Sequence, residues 1–166
     1  MTMGESQRVR LLLVDDEEDL VTFLAHRLGK RDVDVTTATS GAEALELIDR
    51  RIFDVAVVDL KMPDIDGITV MERLKVRQPF TEILMLTGHG SHDSAWEAGR
   101  LQAFRYLLKP YDFDDLYQLI IAAAEQRRRR MEEEFEQKLS DLMMGTTSPR
   151  DLIEESDRLR REYEQD

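Results

Sequence analysis

The sequence predicts an α/β fold in which helices cover both faces of a doubly wound, five-stranded parallel sheet. Short runs of aliphatic and β-branched residues alternate five times with segments whose apolar residues recur at helical spacing. Such alternation is typical of parallel sheets, because each crossover connection lays a helix on one face. Polar residues follow several of the apolar runs, at the edge where sheets of this kind bind ligands.

Five runs have the length and composition of buried strands. They are Val9–Val14, Val33–Ala38, Val55–Val58, Ile83–Leu86 and Phe104–Leu108. The last run ends at Lys109-Pro110, because proline cannot donate a hydrogen bond to a sheet. We therefore expect an N-terminal tail over residues 1–7 and one sheet domain over residues 8–124.

Helices are predicted between the strands over residues 20–28, 40–48, 68–76 and 94–101. Gly29 ends the first helix, and Ser40 caps the second with Glu43 as the partner of a capping box. Gly67 precedes the third helix, where a glycine permits the turn. A fifth helix follows the last strand and continues into the C-terminal segment.

Polar side chains follow the predicted strands at one edge of the sheet. They are Asp15 and Asp16 after the first strand, Asp59 after the third, Thr87 after the fourth and Lys109 after the fifth. Three carboxylates at one edge repel each other, which raises the pKa of at least one of them. Mg²⁺ would relieve the repulsion, since it prefers one or two carboxylates together with water and phosphate oxygens.

The same side chains have the chemistry of phosphoryl transfer. An aspartate beside Mg²⁺ can act as a nucleophile and form an aspartyl phosphate, which is the role predicted for Asp59. Lys109 supplies a mobile cation for a phosphate oxygen, and the Thr87 hydroxyl supplies a neutral donor. Positioning and charge neutralisation account for most catalysis of this type.

Four segments, taken in order, make the chain resemble a known family. VDDEED, VVDLKMPDIDG, LTGHGS and YLLKP are similar to the motifs of the receiver domain of bacterial two-component response regulators. The resemblance covers residues 8–124 and implies the flavodoxin-like receiver fold. It also implies a phosphoacceptor regulator, not an enzyme acting on a separate substrate, that can catalyse its own phosphorylation and dephosphorylation.

The resemblance implies a role for each acid of the site. Asp15 and Asp16 would hold Mg²⁺ together with Asp59 and the backbone carbonyl of Lys61. Asp59 would accept the phosphoryl group from a sensor histidine kinase or a phosphotransfer protein.

The resemblance also implies a route for the signal. Thr87 and Lys109 would bind the phosphoryl oxygens, and Tyr106 matches the aromatic residue whose rotamer follows the shift of Thr87. That movement would change protein–protein contacts at the face formed by the fourth helix, the fifth strand and the fifth helix. A cis Lys109-Pro110 bond is implied as well.

Lys61 argues against the main enzyme alternative, a Mg²⁺-dependent aspartyl-phosphate hydrolase. By resemblance, such phosphatases carry a second acid two residues after the nucleophile, and Lys61 occupies that position here. Lys61 and His89 also flank the path along which water would attack a phosphorylated Asp59. The lifetime of the phosphoryl group therefore stays open.

Composition argues against several other classes of protein. The formal net charge is −12, whereas contacts with nucleic-acid phosphates need clustered cations. No apolar run approaches the roughly 20 residues that span a bilayer, and the chain contains no cysteine. We therefore expect a cytoplasmic protein that binds neither nucleic acid nor membrane.

Residues 125–166 are predicted to form a helical extension that acts as a coiled-coil or interaction segment. Arg128, Arg129 and Arg130 each precede a glutamate by four residues, so this basic run is neutralised along the helix. Gly145 ends the helix, and Ser148 with Pro149 begins another.

The extension carries a narrow apolar stripe that needs a partner. The stripe consists of Met131, Phe135, Leu139 and Leu142, and the last helix adds Leu152, Leu159 and Tyr163. The partner could be the receiver surface, a second copy of the chain or another protein. Two interpretations of the whole chain remain, a regulator whose output is protein–protein interaction or a receiver fragment of a longer regulator whose output domain lies elsewhere.

Overall fold

The computed structural model describes residues 8–88, 103, 105–145 and 148–165. The chain divides into two compact units, one ending at Glu125 and the other beginning at Gln126. The sheet belongs to the first unit, and the described residues of the second unit are almost entirely helical.

Five parallel strands form the sheet of the first unit. They are β1 (Val9–Val14), β2 (Val33–Ala38), β3 (Val55–Asp59), β4 (Glu82–Thr87) and β5 (Arg105–Leu108). Their spatial order is β2-β1-β3-β4-β5. The order reverses direction between β1 and β3, so a crevice opens at the carboxyl ends of these two strands. The predicted fold class is confirmed.

The described helices agree closely with those that the sequence predicts. They are α1 (Glu18–Gly29), α2 (Gly41–Arg50), α3 (Gly67–Arg77), α4 (Phe113–Gly145) and α5 (Pro149–Gln165). The helix predicted over residues 94–101 and the side chain of His89 lie outside the described residues, so the helix predicted as the fifth is α4. None of the described helices is both long and apolar enough to cross a membrane.

Strand β1 shows why this sheet needs helices on both faces. Leu11 and Leu13 belong to the core shared with α1 and α4, whereas Leu12 and Val14 belong to the core shared with α2 and α3. All four side chains are completely buried. Side chains alternate between the faces of a strand, so a continuous apolar run fits a strand that is covered on both sides.

Side-chain caps fix the start of the helices on one face of the sheet. The hydroxyl of Ser40 accepts a hydrogen bond from the Glu43 amide at 3.1 Å, as predicted. The Glu43 carboxylate accepts from the amide of Thr39 at 2.8 Å, one residue before the position that a capping box implies. Asp66 caps α3 by accepting from the Thr69 amide at 2.9 Å.

In the second unit, α5 runs back along the C-terminal part of α4. The Tyr163 hydroxyl donates to the Glu134 carboxylate at 2.9 Å, and the Tyr163 ring packs edge-on against Phe135 with centroids 5.5 Å apart. The residues of the predicted apolar stripe are half-buried. Helix α5 therefore covers part of the stripe on α4. The predicted pair between Arg128 and Glu132 forms at 2.7 Å.

Gly67 lets α3 begin directly against the end of β3. Its amide donates to the Leu60 carbonyl at 3.0 Å. A Cβ on Gly67 would collide with the carbonyl oxygen of Asp59 and lie 2.9 Å from the Leu60 Cα. Gly67 does not adopt the left-handed region, so the glycine before α3 is needed for space and not for a left-handed backbone.

Replacing Gly67 by alanine should destabilise the protein by about 1–3 kcal/mol, because the backbone of Asp59 and Leu60 must move to admit the methyl group. Gly29→Ala is the matched control, since a Cβ at Gly29 has nothing within 4 Å. Urea unfolding followed by circular dichroism should show a lower midpoint for G67A and an unchanged or higher midpoint for G29A. A G67A midpoint equal to that of the wild type would contradict the steric argument.

Candidate functional site

The fold places the predicted polar residues at the carboxyl edge of the sheet. Asp15 directly follows β1, Asp59 is the last residue of β3, Thr87 is the last residue of β4, and Lys109 directly follows β5. Strands β1 and β3 are neighbours, so Asp15 and Asp59 meet at the crevice where the strand order reverses.

Three carboxylates lie together in this crevice. One oxygen from each of Asp15, Asp16 and Asp59 lies within 4.8 Å of the others. Asp15 is completely buried and Asp59 is 7% exposed, whereas Asp16 is exposed. The Asp15 amide donates to the Ala38 carbonyl at 3.2 Å, and its carboxylate accepts from the Glu17 amide at 2.9 Å. These bonds hold the buried carboxylate in place.

Lys109 brings a positive charge to the three carboxylates. Its ammonium donates to Asp15 at 2.8 Å and lies 3.6 Å from Asp59, while its backbone amide donates to the Thr87 carbonyl at 2.7 Å. Burial opposes the charge on Lys109, but the Asp15 hydrogen bond and the charge of Asp59 outweigh it and raise its pKa. The Lys109-Pro110 bond is cis, as the resemblance implied.

Asp59 is the carboxylate that the crowding affects most clearly. Burial, followed by repulsion from Asp15, raises the pKa of Asp59 to about 6, although Lys109 and the Lys61 amide act in the opposite direction. The Lys61 amide donates to Asp59 at 3.4 Å, and the Lys61 residue itself is exposed. At neutral pH the Asp59 carboxyl is therefore mostly ionised, and a nearby cation would stabilise its negative charge.

The two residues predicted to carry the signal lie on adjacent strands. Thr87 is 2% exposed. Tyr106 is half-buried and packs against the core shared with α2 and α3. Its hydroxyl is buried and has no hydrogen-bond partner among the described residues, and burial raises its pKa. The coupled movement of Thr87 and Tyr106 stays a prediction.

Two features of the site were not anticipated from the sequence. Lys109 pairs with Asp15, which was expected to act only as a metal ligand. The Tyr111 hydroxyl is also buried without a hydrogen-bond partner among the residues that the structure describes. Its position two residues after Lys109, in YLLKPY, was the available signal.

The residues present fit a hard divalent cation. All the candidate ligands are oxygens, and three carboxylates converge within 4.8 Å, which suits the oxygen preference of Mg²⁺. The raised pKa of Asp59, caused by burial and then by Asp15, reflects a repulsion that such an ion would reduce. The acidic pocket is thus of the type that binds Mg²⁺.

Replacing Asp59 by asparagine should stabilise the metal-free protein above about pH 6 by about 3 kcal/mol. The folded protein keeps the Asp59 proton to a higher pH than the unfolded chain does. The free energy of unfolding of the wild type should therefore fall, relative to that of D59N, as pH rises from about 4 to about 7. Urea unfolding with a chelator present measures this difference, and Asp34→Asn controls for the loss of one exposed carboxylate on β2. A difference between wild type and D59N that stays constant over this range would contradict the account.

Comparison with known proteins agrees with the geometry. The model of the response regulator receiver domain family matches residues 11–121. Transcriptional regulatory protein GlrR of Escherichia coli strain K12 is 36% identical over 150 residues, which cover 89% of this chain and 34% of that protein. The chain thus spans about a third of the length of this relative.

Two solved structures resemble the chain in both fold and sequence. One, described as adenylate cyclase from Rhodopirellula baltica, has a TM-score of 0.73 and 35% identity, covering 84% of this chain and 99% of that chain. A response regulator receiver domain protein from Clostridium thermocellum has a TM-score of 0.69 and 31% identity, covering 72% and 97%. With the family match and the acidic crevice at the carboxyl edge of the sheet, these similarities show that the chain belongs to the response regulator receiver domain family of two-component systems.

Proposed function

We propose that this chain is a phosphorylation-dependent switch in which Asp59 accepts a phosphoryl group from a sensor histidine kinase or a phosphotransfer protein. Receiver domains in general are phosphoacceptor regulators and are not classed as enzymes. The observation that carries the proposal is the position of Asp59, which lies 3.6 Å from the Lys109 ammonium and within 4.8 Å of two further carboxylates.

Four residues are proposed to hold Mg²⁺ at this site. Asp15, Asp16 and Asp59 would contribute carboxylate oxygens, and Lys61 would contribute its backbone carbonyl. The ion would supply charge neutralisation and an anchor for phosphoryl oxygens. The support for this assignment is the convergence of the three acids and the closeness of Lys61 to Asp59 along the chain.

The proposed transfer needs a nucleophile and donors to the phosphoryl oxygens. A carboxylate oxygen of Asp59 attacks phosphorus, and the bond from phosphorus to the imidazole nitrogen of the donor histidine breaks as the new O–P bond forms. Lys109 offers a charged donor to a phosphoryl oxygen, and the Thr87 hydroxyl offers a neutral one. The 2.7 Å bond from the Lys109 amide to the Thr87 carbonyl supports their joint positioning.

Thr87 and Tyr106 are proposed to pass the change of state to the surface. When Thr87 moves toward the phosphoryl group, it leaves space that the Tyr106 ring can enter. The buried, unpartnered hydroxyl of Tyr106 supports this step, because a polar group without a partner is poorly stabilised in its present position. The surface affected would include β5 and α4.

We further propose that the receiver domain spans residues 8–124 and that residues 125–166 form an interaction segment. The output would be binding of a downstream protein or self-association through α4 and the tail. The pairing of α5 with α4 at Phe135 and Tyr163 supports an ordered segment.

A second interpretation is that the chain is the receiver part of a longer regulator. The observation that favours it is length, since the chain covers 34% of GlrR. The expected lack of nucleic-acid contact is therefore proposed only for this segment, because GlrR is named a transcriptional regulatory protein. An aspartyl-phosphate hydrolase is disfavoured by Lys61, which stands where a general acid would be needed.

Incubation with acetyl phosphate should label the intact chain only when Mg²⁺ is present. Asp59→Asn should abolish labelling, because it removes the nucleophilic oxygen, whereas Asp34→Asn should be labelled like the wild type. Phosphate incorporation can be measured by intact-protein mass spectrometry. Normal labelling of D59N, or equal labelling after chelation of Mg²⁺, would overturn the assignment of Asp59.

If the output is self-association, light scattering should report a dimeric mass for the intact chain and a monomeric mass for a chain ending at Ala124. The reason is that the truncation removes the apolar stripe of α4 together with α5. Both proteins should be measured with and without beryllofluoride, which mimics the phosphoryl group. Equal monomeric masses under all conditions would remove self-association from the proposed output.

A further inference from the structure

Tyr111 has a buried hydroxyl that the proposed mechanism does not yet use. The residue follows Lys109 and Pro110 in the segment that joins β5 to α4. Its side chain packs against the core shared with α1 and α4. Its hydroxyl oxygen is buried and has no hydrogen-bond partner among the described residues. Phenylalanine would fill the same space without leaving a polar atom unpaired.

The surroundings of Tyr111 connect it with the acidic crevice. Tyr111 and Lys109 line the same cavity of about 380 Å³, which also contacts Glu17 at the start of α1. Burial is the main reason that the pKa of Tyr111 is raised; Lys109 acts in the opposite direction, and the charges of Asp15, Asp59 and Glu17 raise it further. The hydroxyl is therefore close enough to the site to sense its charges.

We propose that Tyr111 positions Lys109 in the loaded site, its hydroxyl oxygen accepting a hydrogen bond from the Lys109 ammonium. In the structure the Lys109 ammonium donates to Asp15 at 2.8 Å, and the Tyr111 hydroxyl has no hydrogen-bond partner among the described residues. Once Asp15 is engaged by a cation, Lys109 loses this acceptor and turns toward the phosphoryl group. An ammonium group has three donors, and the Tyr111 oxygen takes one of them while another reaches a phosphoryl oxygen.

A hydrogen bond from Lys109 in the loaded site would give the Tyr111 hydroxyl its partner, and a phenylalanine could not accept such a bond. A buried hydroxyl without a partner is unfavourable in the unloaded protein, and it becomes favourable when Lys109 is released from Asp15. Tyr111 thereby favours the loaded state over the unloaded one. The inference rests on the proposed phosphoacceptor function, and it adds a residue that orients Lys109 without itself touching the phosphoryl group.

Beryllofluoride binding to the full chain at saturating Mg²⁺ tests the inference. Isothermal titration calorimetry should give a Kd about three- to tenfold weaker for Tyr111→Phe than for wild type, the range expected for one lost hydrogen bond. Tyr117→Phe is the matched control, because Tyr117 lies beneath Arg31 at 4.8 Å and does not line the cavity of Lys109. Its Kd should equal that of the wild type.

Two further measurements separate positioning from a role in packing. The thermal midpoint of the metal-free protein should be unchanged or higher in Y111F, because an unpaired buried hydroxyl is removed. The side-chain ¹⁵N signal of Lys109 should shift on beryllofluoride addition by the same amount in wild type and Y117F, and by a different amount in Y111F.

The possible results distinguish this inference from the function on which it rests. A wild-type chain that binds no beryllofluoride would overturn the phosphoacceptor function and this inference together. A wild type that binds, with a Y111F variant of equal Kd and equal Lys109 shift, would overturn the positioning role of Tyr111 alone.

Discussion

The Lys109 ammonium lies 2.8 Å from Asp15 and 3.6 Å from Asp59, and these contacts make two neighbouring buried carboxylates compatible with a folded protein. Like charges so close together in a poorly hydrated crevice repel each other, and a single cation offsets only part of that repulsion. Burial and then repulsion from Asp15 raise the pKa of Asp59 to about 6, although Lys109 acts in the opposite direction. A divalent cation, together with Lys109, would balance the negative charge of the three carboxylates.

The rest of the fold serves to hold these side chains at one place. Parallel pairing brings the carboxyl ends of β1 and β3 side by side, and the two cores on either face of the sheet keep the strands in register. Gly67 allows α3 to begin against the backbone of Asp59. Tyr111 packs against the core shared with α1 and α4 and lines the same cavity as Lys109.

Much of this arrangement is visible in the sequence, because strand ends and side-chain types are local properties. The apolar run VAVV is followed by Asp59 in the sequence, and β3 ends at Asp59 in the structure. Ser40 caps α2, as its position in the sequence predicts. What could not be predicted depends on contacts between distant segments. The pairing of Lys109 with Asp15 joins residues 94 apart in the chain, and the orphaned hydroxyl of Tyr111 follows from burial that no local pattern encodes. The sequence places Gly67 at the turn before α3, but only the structure shows that the neighbouring backbone excludes a side chain there.

Calorimetric titration of the intact chain with Mg²⁺ tests the central claim most directly, since it asks whether the crowded carboxylates form a site for a divalent cation. The account predicts one bound ion, with affinity increasing from about pH 5 to about pH 8 as Asp59 loses its proton. At the lower pH, binding should release a proton, and D59N should bind more weakly at the higher pH. The absence of binding, or an affinity that neither pH nor D59N alters, would contradict the account.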